Sequence, residues 1–172
     1  MRSFLKHIFR FAMFLVIQVL VLNQVELGAG TLIIIYPLFI FLLPVEINIF
    51  LLLFLAFALG ISIDALSNTY GLHASSMLIF AYFRPIILKV FAPRDGYEPD
   101  VELNFYSMGY RWFFQTFGVL LLIHHFWFFL IELFRFDEAF YVFKLTVLSV
   151  PMSFALCILL QFLLIRKPSK GL

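Results

Sequence analysis

Asp64 and His73 are the residues of this sequence whose type and spacing could do chemistry. They stand on either side of a short polar turn, Ser67-Asn68-Thr69-Tyr70-Gly71, inside the run A-F-A-L-G-I-S-I-D-A-L-S-N-T-Y-G-L-H-A-S-S-M-L-I-F-A-Y-F-R at 56–84. Strongly apolar segments flank the turn on both sides. A charge at the centre of a bilayer costs about 3 kcal/mol on insertion scales, and less near an interface, so an acid here needs a partner. Asp64 falls about one turn before the end of its helix and His73 about one turn into the next, at a similar depth. Asp64 is therefore expected to bond to Ser67, Asn68 or the amides of the turn, or to His73. Arg84 lies roughly 16 Å further along the helix than His73, out of reach of Asp64. Its long side chain is expected to extend toward the nearer membrane interface.

Catalysis by these groups would need convergence. Intramembrane aspartyl enzymes use two carboxylates at one depth, one as acid and one as base. Asp64 has no second aspartate within an apolar segment, and Glu132 is the remaining candidate on that side. No Gly-x-Ser-x-Gly nucleophile motif and no His-Glu-x-x-His zinc motif occurs. His124 and His125 are adjacent, so on a helix they point about 100° apart and chelate one metal poorly. The sequence is read as non-enzymatic, with no cofactor and no bound metal.

The elements that hold these residues are set by composition. The chain has 172 residues, of which 64% are apolar, 20% aromatic and 13% charged. Soluble chains carry about 25% charged residues, so this is a membrane sequence. One domain, 1–172, is expected, because no hydrophilic stretch is long enough to fold alone. The single cysteine, Cys157, excludes a disulfide within the chain and a cysteine zinc cluster. Arg2, Lys6 and Arg10 before the run Phe11–Leu22 imitate a secretory signal. Gly28-Ala29-Gly30 fits a cleavage site only loosely, so a retained first helix is expected.

Hydropathy predicts a bundle of six transmembrane helices, an all-α integral membrane protein. The spans fall at roughly 8–27, 31–45, 47–67, 71–91, 109–134 and 139–165, each taken as helical because lipid offers no partner to an extended backbone. Six spans place both termini on one side. That side gathers Arg2, Lys6, Arg10, Lys89, Arg94, Arg111, Arg166, Lys167 and Lys170, against Arg135 and Lys144 opposite. Basic residues favour the cytoplasm, so both ends are expected there. The one sizeable loop, about 92–108, carries Arg94 against Asp95, Glu98, Asp100 and Glu102, a net charge of −3. Its Pro93, Gly96 and Pro99 make it a turn-rich connector, solvated or offered to a basic partner.

Helical spacing then groups the polar residues into faces. Ala56, Gly60, Asp64 and Ser67 form a small and polar stripe, and a small-x-x-x-small pair lets another backbone come close. His73, Ser76, Phe80 and Arg84 align on the next segment. Arg111, Gln115, Gly118, His125 and Glu132 share one side of the fifth, with His124 turned away. Thr146, Ser149, Ser153, Cys157 and Gln161 share one side of the sixth, which is expected to bend at Pro151. Gln18 is alone in the first. Inward-turned polar residues are expected, Gln18, Gln115, His125 and Glu132 among them, since lipid would leave them unpaired.

With those positions assigned, G-I-S-I-D-A-L-S-N-T-Y-G-L-H-A resembles the signature of the bacterial rod shape-determining MreD family. There a membrane helix ends in Gly-x-x-x-Asp-x-x-Ser and a small turn leads to Gly-x-His-Ala, matched here by Gly60, Asp64, Ser67, Gly71, His73 and Ala74. The segments A-Y-F-R-P, P-R-D-G-Y-E-P and S-M-G-Y-R-W are similar to the Bacteroidetes form of the family. Ser67-Asn68-Thr69-Tyr70 replaces the commoner Ser-Gly-rich turn. The resemblance implies a non-enzymatic inner-membrane subunit of the cell-elongation machinery. It implies partners too: an MreC-like bitopic protein, an MreB-like actin homologue, a RodA-like glycan polymerase and a class B penicillin-binding transpeptidase. It further implies a bundle similar to the substrate-capturing subunit of energy-coupling-factor transporters.

Two functions follow as expectations. A scaffold would offer a groove or lipid-facing side to a partner's membrane helix, through small residues such as Ala56, Gly60, Gly71 and Ala74 near the Asn68 turn. A small-molecule binder or transporter subunit would instead gather Asp64, His73, His125 and Glu132 around a solute near the outer face. Nucleic-acid binding is excluded for want of a basic, aromatic-interleaved surface outside the membrane.

Overall fold

The computed structural model describes residues 2–25, 28, 30–98, 101–134 and 136–164. Asp100, Arg135 and the basic tail Arg166, Lys167 and Lys170, used above for orientation, lie outside the described residues, as does the side chain of Arg2. The elements are all helical: α1 (Arg2–Leu20), α2 (Pro37–Phe41), α3 (Ile49–Ser67), α4 (Leu72–Val90), α5 (Phe105–Met108), α6 (Tyr110–Leu133) and α7 (Ala139–Leu164), with 3-10 turns at Leu22–Gln24 and Phe136–Glu138. No strand occurs among the described residues.

Local signals set most boundaries. Asn48 Oδ1 accepts from the Phe50 amide at 2.8 Å and starts α3, satisfying a donor that has no partner inside the helix. Asn68, at φ +55°, closes α3 in the left-handed conformation that a C-terminal cap needs. Gly71, at φ +86°, then turns the chain into α4. Asn104 caps α5 through the Tyr106 and Ser107 amides, both at 2.9 Å.

Among the described residues four stretches are long and apolar enough to cross a membrane: Lys6–Gln24, Ile49–Ser67, Tyr110–Leu133 and Ala139–Leu164. Helix α4 is as long as α3, at 19 residues, yet more polar, and it buries eight of its residues. It packs between α3 and α6, and α7 packs on α6. The outer surface is greasy, with Phe50, Phe54, Phe57, Phe114, Phe140 and Phe143 exposed, as lipid contact requires.

The second expected span is not a membrane helix. Residues 31–35 form no regular element, and the only helix in the segment is the five-residue α2. Even so, it runs the length of the bundle. Its beginning meets Gln18 in the C-terminal half of α1, and its end meets Arg84 near the C-terminus of α4. Every residue from Ile34 to Leu43 is buried, so this segment of irregular chain and one short helix belongs to the core of the bundle.

Candidate functional site

The hairpin of α3 and α4 is locked by Asp64. Its Oδ1 accepts from the His73 amide at 3.1 Å and from the Thr69 hydroxyl at 2.6 Å, and its Oδ2 accepts from the Ala74 amide at 2.9 Å. The first amides of α4 have no partner inside the helix, and the helix N-terminus carries partial positive charge, so a carboxylate is the natural cap. One turn earlier in α3, Gly60 lets the helices touch. A Cβ there would lie 2.5 Å from Ala74 Cα and 2.8 Å from the His73 carbonyl oxygen. Asp64 thus meets the turn and His73 as expected, through the His73 backbone rather than its imidazole.

That imidazole turns inward. Tyr36 Oη lies 2.8 Å from His73 Nδ1 and 3.1 Å from His124 Nε2, all three side chains buried. A phenol has one proton to give, so one ring accepts from Tyr36 and the other donates to it. A second chain runs beside it. His125 Nδ1 is 2.9 Å from the Leu121 carbonyl, which can only accept. In a neutral ring Nε2 is then an acceptor, and Ser153 Oγ, at 3.1 Å, donates to it. Ser153 Oγ in turn accepts from the Ile34 amide at 2.9 Å.

These contacts explain how an irregular backbone survives in an apolar interior, where each unpaired amide or carbonyl would cost about 1–3 kcal/mol. Irregular backbone at membrane depth is tolerated where protein surrounds it. Side chains replace the helix ladder here. The Leu32 amide donates to Ser149 Oγ at 3.1 Å, and the Ile35 amide to Gln18 Oε1 at 3.0 Å. Gln18 Nε2 donates to the Ile33 carbonyl at 3.0 Å and to Asn23 Oδ1 at 2.8 Å. Asn23 Nδ2 continues to Ser67 Oγ at 2.8 Å, tying α1 to the end of α3.

Arg84 closes the other end of the segment. Its Nη2 donates to the carbonyls of Phe41 and Pro44, at 3.2 and 3.1 Å, and also to that of Leu43. The side chain is 1% exposed. This corrects the expectation that it would extend to the interface: the carbonyls at and just after the end of α2 have no helical partner, and one guanidinium nitrogen reaches all three.

Other expected positions fall differently. Gln18 and His125 are inward, but Gln115 and Glu132 are exposed, and Thr116 and His124 occupy the buried face of α6 instead. Ala56 and Ala74 are buried, and with Gly60 their contacts lie within the chain; Ser67, Asn68 and Gly71 line the turn. Tyr36 and Thr69 were not singled out by spacing. Tyr36 is the one phenol in an otherwise apolar run, a signal that it has a buried partner. Asp64, His73 and His125 are each taken up by bonds to protein groups, and Glu132 is exposed. Among the described residues no cluster of His, Cys, Asp and Glu could hold a metal ion.

At the Arg84 end the loop is pinned. Tyr97 Oη donates to the Leu88 carbonyl at 2.6 Å, Trp112 Nε1 to the Phe91 carbonyl at 2.8 Å, and Lys6 pairs with Glu102. Burial pushes the Glu102 carboxyl upward, but Lys6, Arg10 and Asn104 outweigh it and hold the group below its ordinary value. No family model, curated protein or solved structure matches the chain.

Proposed function

We propose that this chain is a non-enzymatic scaffold of the MreD type, an inner-membrane subunit that organises peptidoglycan-synthesis proteins during cell elongation. The observation that carries the reading is the α3–α4 hairpin. Gly60, Asp64, His73 and Ala74, which carry the resemblance in the sequence, are the residues that bring these two helices together. A motif that makes a hairpin rigid suits a part whose task is to hold others in place.

In this reading the chain crosses the membrane six times, with the more polar α4 and the irregular 31–43 segment as the two crossings beside the four long apolar helices, and both termini in the cytoplasm. Its interior is cross-linked by hydrogen bonds and its partners dock outside. The small-molecule reading loses support because its four proposed ligands are occupied or exposed.

Copurification from native membranes tests the proposal. The tagged full-length chain is expected to bring down an MreC-like bitopic protein in stoichiometric amount, with RodA-like and transpeptidase components substoichiometric. An MreB-like protein should join when the cytoplasmic side is kept intact. A chain that copurifies with none of these, or whose two ends carry reporters on opposite sides of the membrane, sinks it.

A further inference from the structure

Where α1, the end of the buried segment and the loop meet, a polar cavity of about 360 Å³ opens. Lys6, His7 and Arg10 face Glu46, Glu98 and Glu102 across it. It adjoins an apolar groove of about 790 Å³ that shares His7, Pro44 and Glu46 with the cavity. The groove continues between α1 and α3 over Phe11, Phe39, Leu43, Leu51 and Leu55. The polar half lies where the apolar stretches Lys6–Gln24 and Ile49–Ser67 begin, at headgroup level, and the apolar half lies beside them.

We propose that this joined cavity and groove is a binding site for one phospholipid with a phosphoethanolamine headgroup. Charge complementarity selects the headgroup. Lys6 and Glu102 are paired with each other, with Arg10 close enough to act on Glu102 as well, and two carboxylates, Glu46 and Glu98, face the cavity besides. Arg10 is half-buried beside Glu102, and among the described residues its guanidinium donates no hydrogen bond, so its N–H groups can meet a phosphate. Glu46 and Glu98 suit the primary ammonium, which donates up to three hydrogen bonds. A phosphatidylglycerol headgroup would set its phosphate before the same carboxylates with no cation to answer them. Phosphatidylcholine has the cation but no N–H donor. One acyl chain lies in the groove over Phe11 and Leu55, where apolar burial holds it.

The test uses the delipidated full-length chain in detergent, titrated with dioleoyl phosphatidylethanolamine, phosphatidylglycerol or phosphatidylcholine. Thermal unfolding reports stabilisation, and native mass spectrometry counts retained lipid. One phosphatidylethanolamine is expected to be retained, bound roughly tenfold more tightly than either other lipid. Arg10→Gln should weaken all three lipids. The pair Glu46→Gln and Glu98→Gln should erase the preference for ethanolamine over glycerol while retaining binding. Leu55→Trp, which fills the groove, should abolish retention. Each variant is compared without lipid first, so that lipid-induced stabilisation is read against its own lipid-free unfolding temperature. Equal stabilisation by the three lipids overturns the proposal. So does retention unmoved by Leu55→Trp, or a Leu55→Trp effect confined to copurification of a partner protein, which would make the groove a helix seat.

Discussion

Asp64 Oδ2 and the amide of Ala74 meet at 2.9 Å across the α3–α4 turn, and directly beneath them the Gly60 backbone touches the Ala74 backbone. The acid and the glycine therefore act as one unit, the first holding the N-terminus of α4 and the second allowing it to come close enough to be held. Asp64→Leu removes every acceptor and leaves two buried amides. The expected loss is about 1.5–3 kcal/mol, the range for hydrogen bonds to a charged group. Asp64→Asn keeps one oxygen and should lose about half of that. Thermal unfolding in detergent checks both values, and an Asp64→Leu chain as stable as its parent excludes the capping role.

Gly60→Ala places a methyl group 2.5 Å from backbone that cannot swing aside, so the helices must separate. Overpacking of this kind costs about 1–3 kcal/mol. Gly118 provides the control within the same bundle, because a Cβ there meets only a Phe154 ring carbon at 3.9 Å. Gly118→Ala should be neutral or slightly stabilising, as expected when a helix gains alanine at an uncrowded site. Equal effects of the two substitutions would mean that the crossing is looser than the backbone contact implies.

The contrast between these residues and the buried segment shows what a membrane sequence discloses. The hairpin was legible because helical spacing puts Gly60 and Asp64 on one face, and an acid in an apolar run demands donors. The stripe Ser149, Ser153, Cys157 was legible as an inward face, but its purpose was not. Nothing in α7 says that its hydroxyls serve the backbone of Leu32 and Ile34. The segment 31–45 reads as a helix because hydropathy measures apolarity and is blind to where backbone hydrogen bonds go. Gln115 and Glu132 were misplaced by phase: a single row of spaced residues was drawn through His125, whereas the buried face of α6 is broad enough to take His124 and Thr116 as well.

Ser153→Ala tests how the irregular segment is held. The substitution strips the Ile34 amide of its acceptor and His125 Nε2 of its donor in one step. A loss of about 1–3 kcal/mol is expected, together with faster hydrogen exchange at Ile34 than in α3. His125→Phe combined with Ser153→Ala should cost less than the sum of the two changes, because both break the same chain. Additive losses would show that the two side chains act independently.

Arg84→Met replaces the guanidinium with an unbranched side chain and no donor, leaving the buried carbonyls of Phe41 and Leu43 unpaired, while that of Pro44 keeps the Ile47 amide at 3.4 Å. The effect should be local first. Hydrogen exchange and protease cleavage around Pro44–Asn48 should rise before the α3–α4 hairpin loosens. Arg84→Lys retains the charge and N–H donors but on a shorter side chain than the one that carries Nη2 to these carbonyls, so it should rescue only part of the protection. Full protection in Arg84→Met would assign the capping to groups other than this arginine.

The Lys6–Glu102 pair makes a pH dependence with a definite sign. Glu102 is held below its ordinary value of 4.5: burial opposes this, and Lys6, Arg10 and Asn104 more than offset it. The folded chain therefore binds fewer protons at this site than the unfolded chain does as pH falls toward the folded-state value. The stabilisation is present in full above pH 4.5 and fades as pH drops through the lowered value. Both side chains are partly exposed, 43% for Lys6 and 42% for Glu102, so the effect is modest and screened by salt. Thermal unfolding followed from neutral to acid pH at low salt should show the parent losing stability that Glu102→Gln never had, the two curves converging at the acid end. Parallel curves at every pH would mean that the pair contributes nothing to holding the loop on α1.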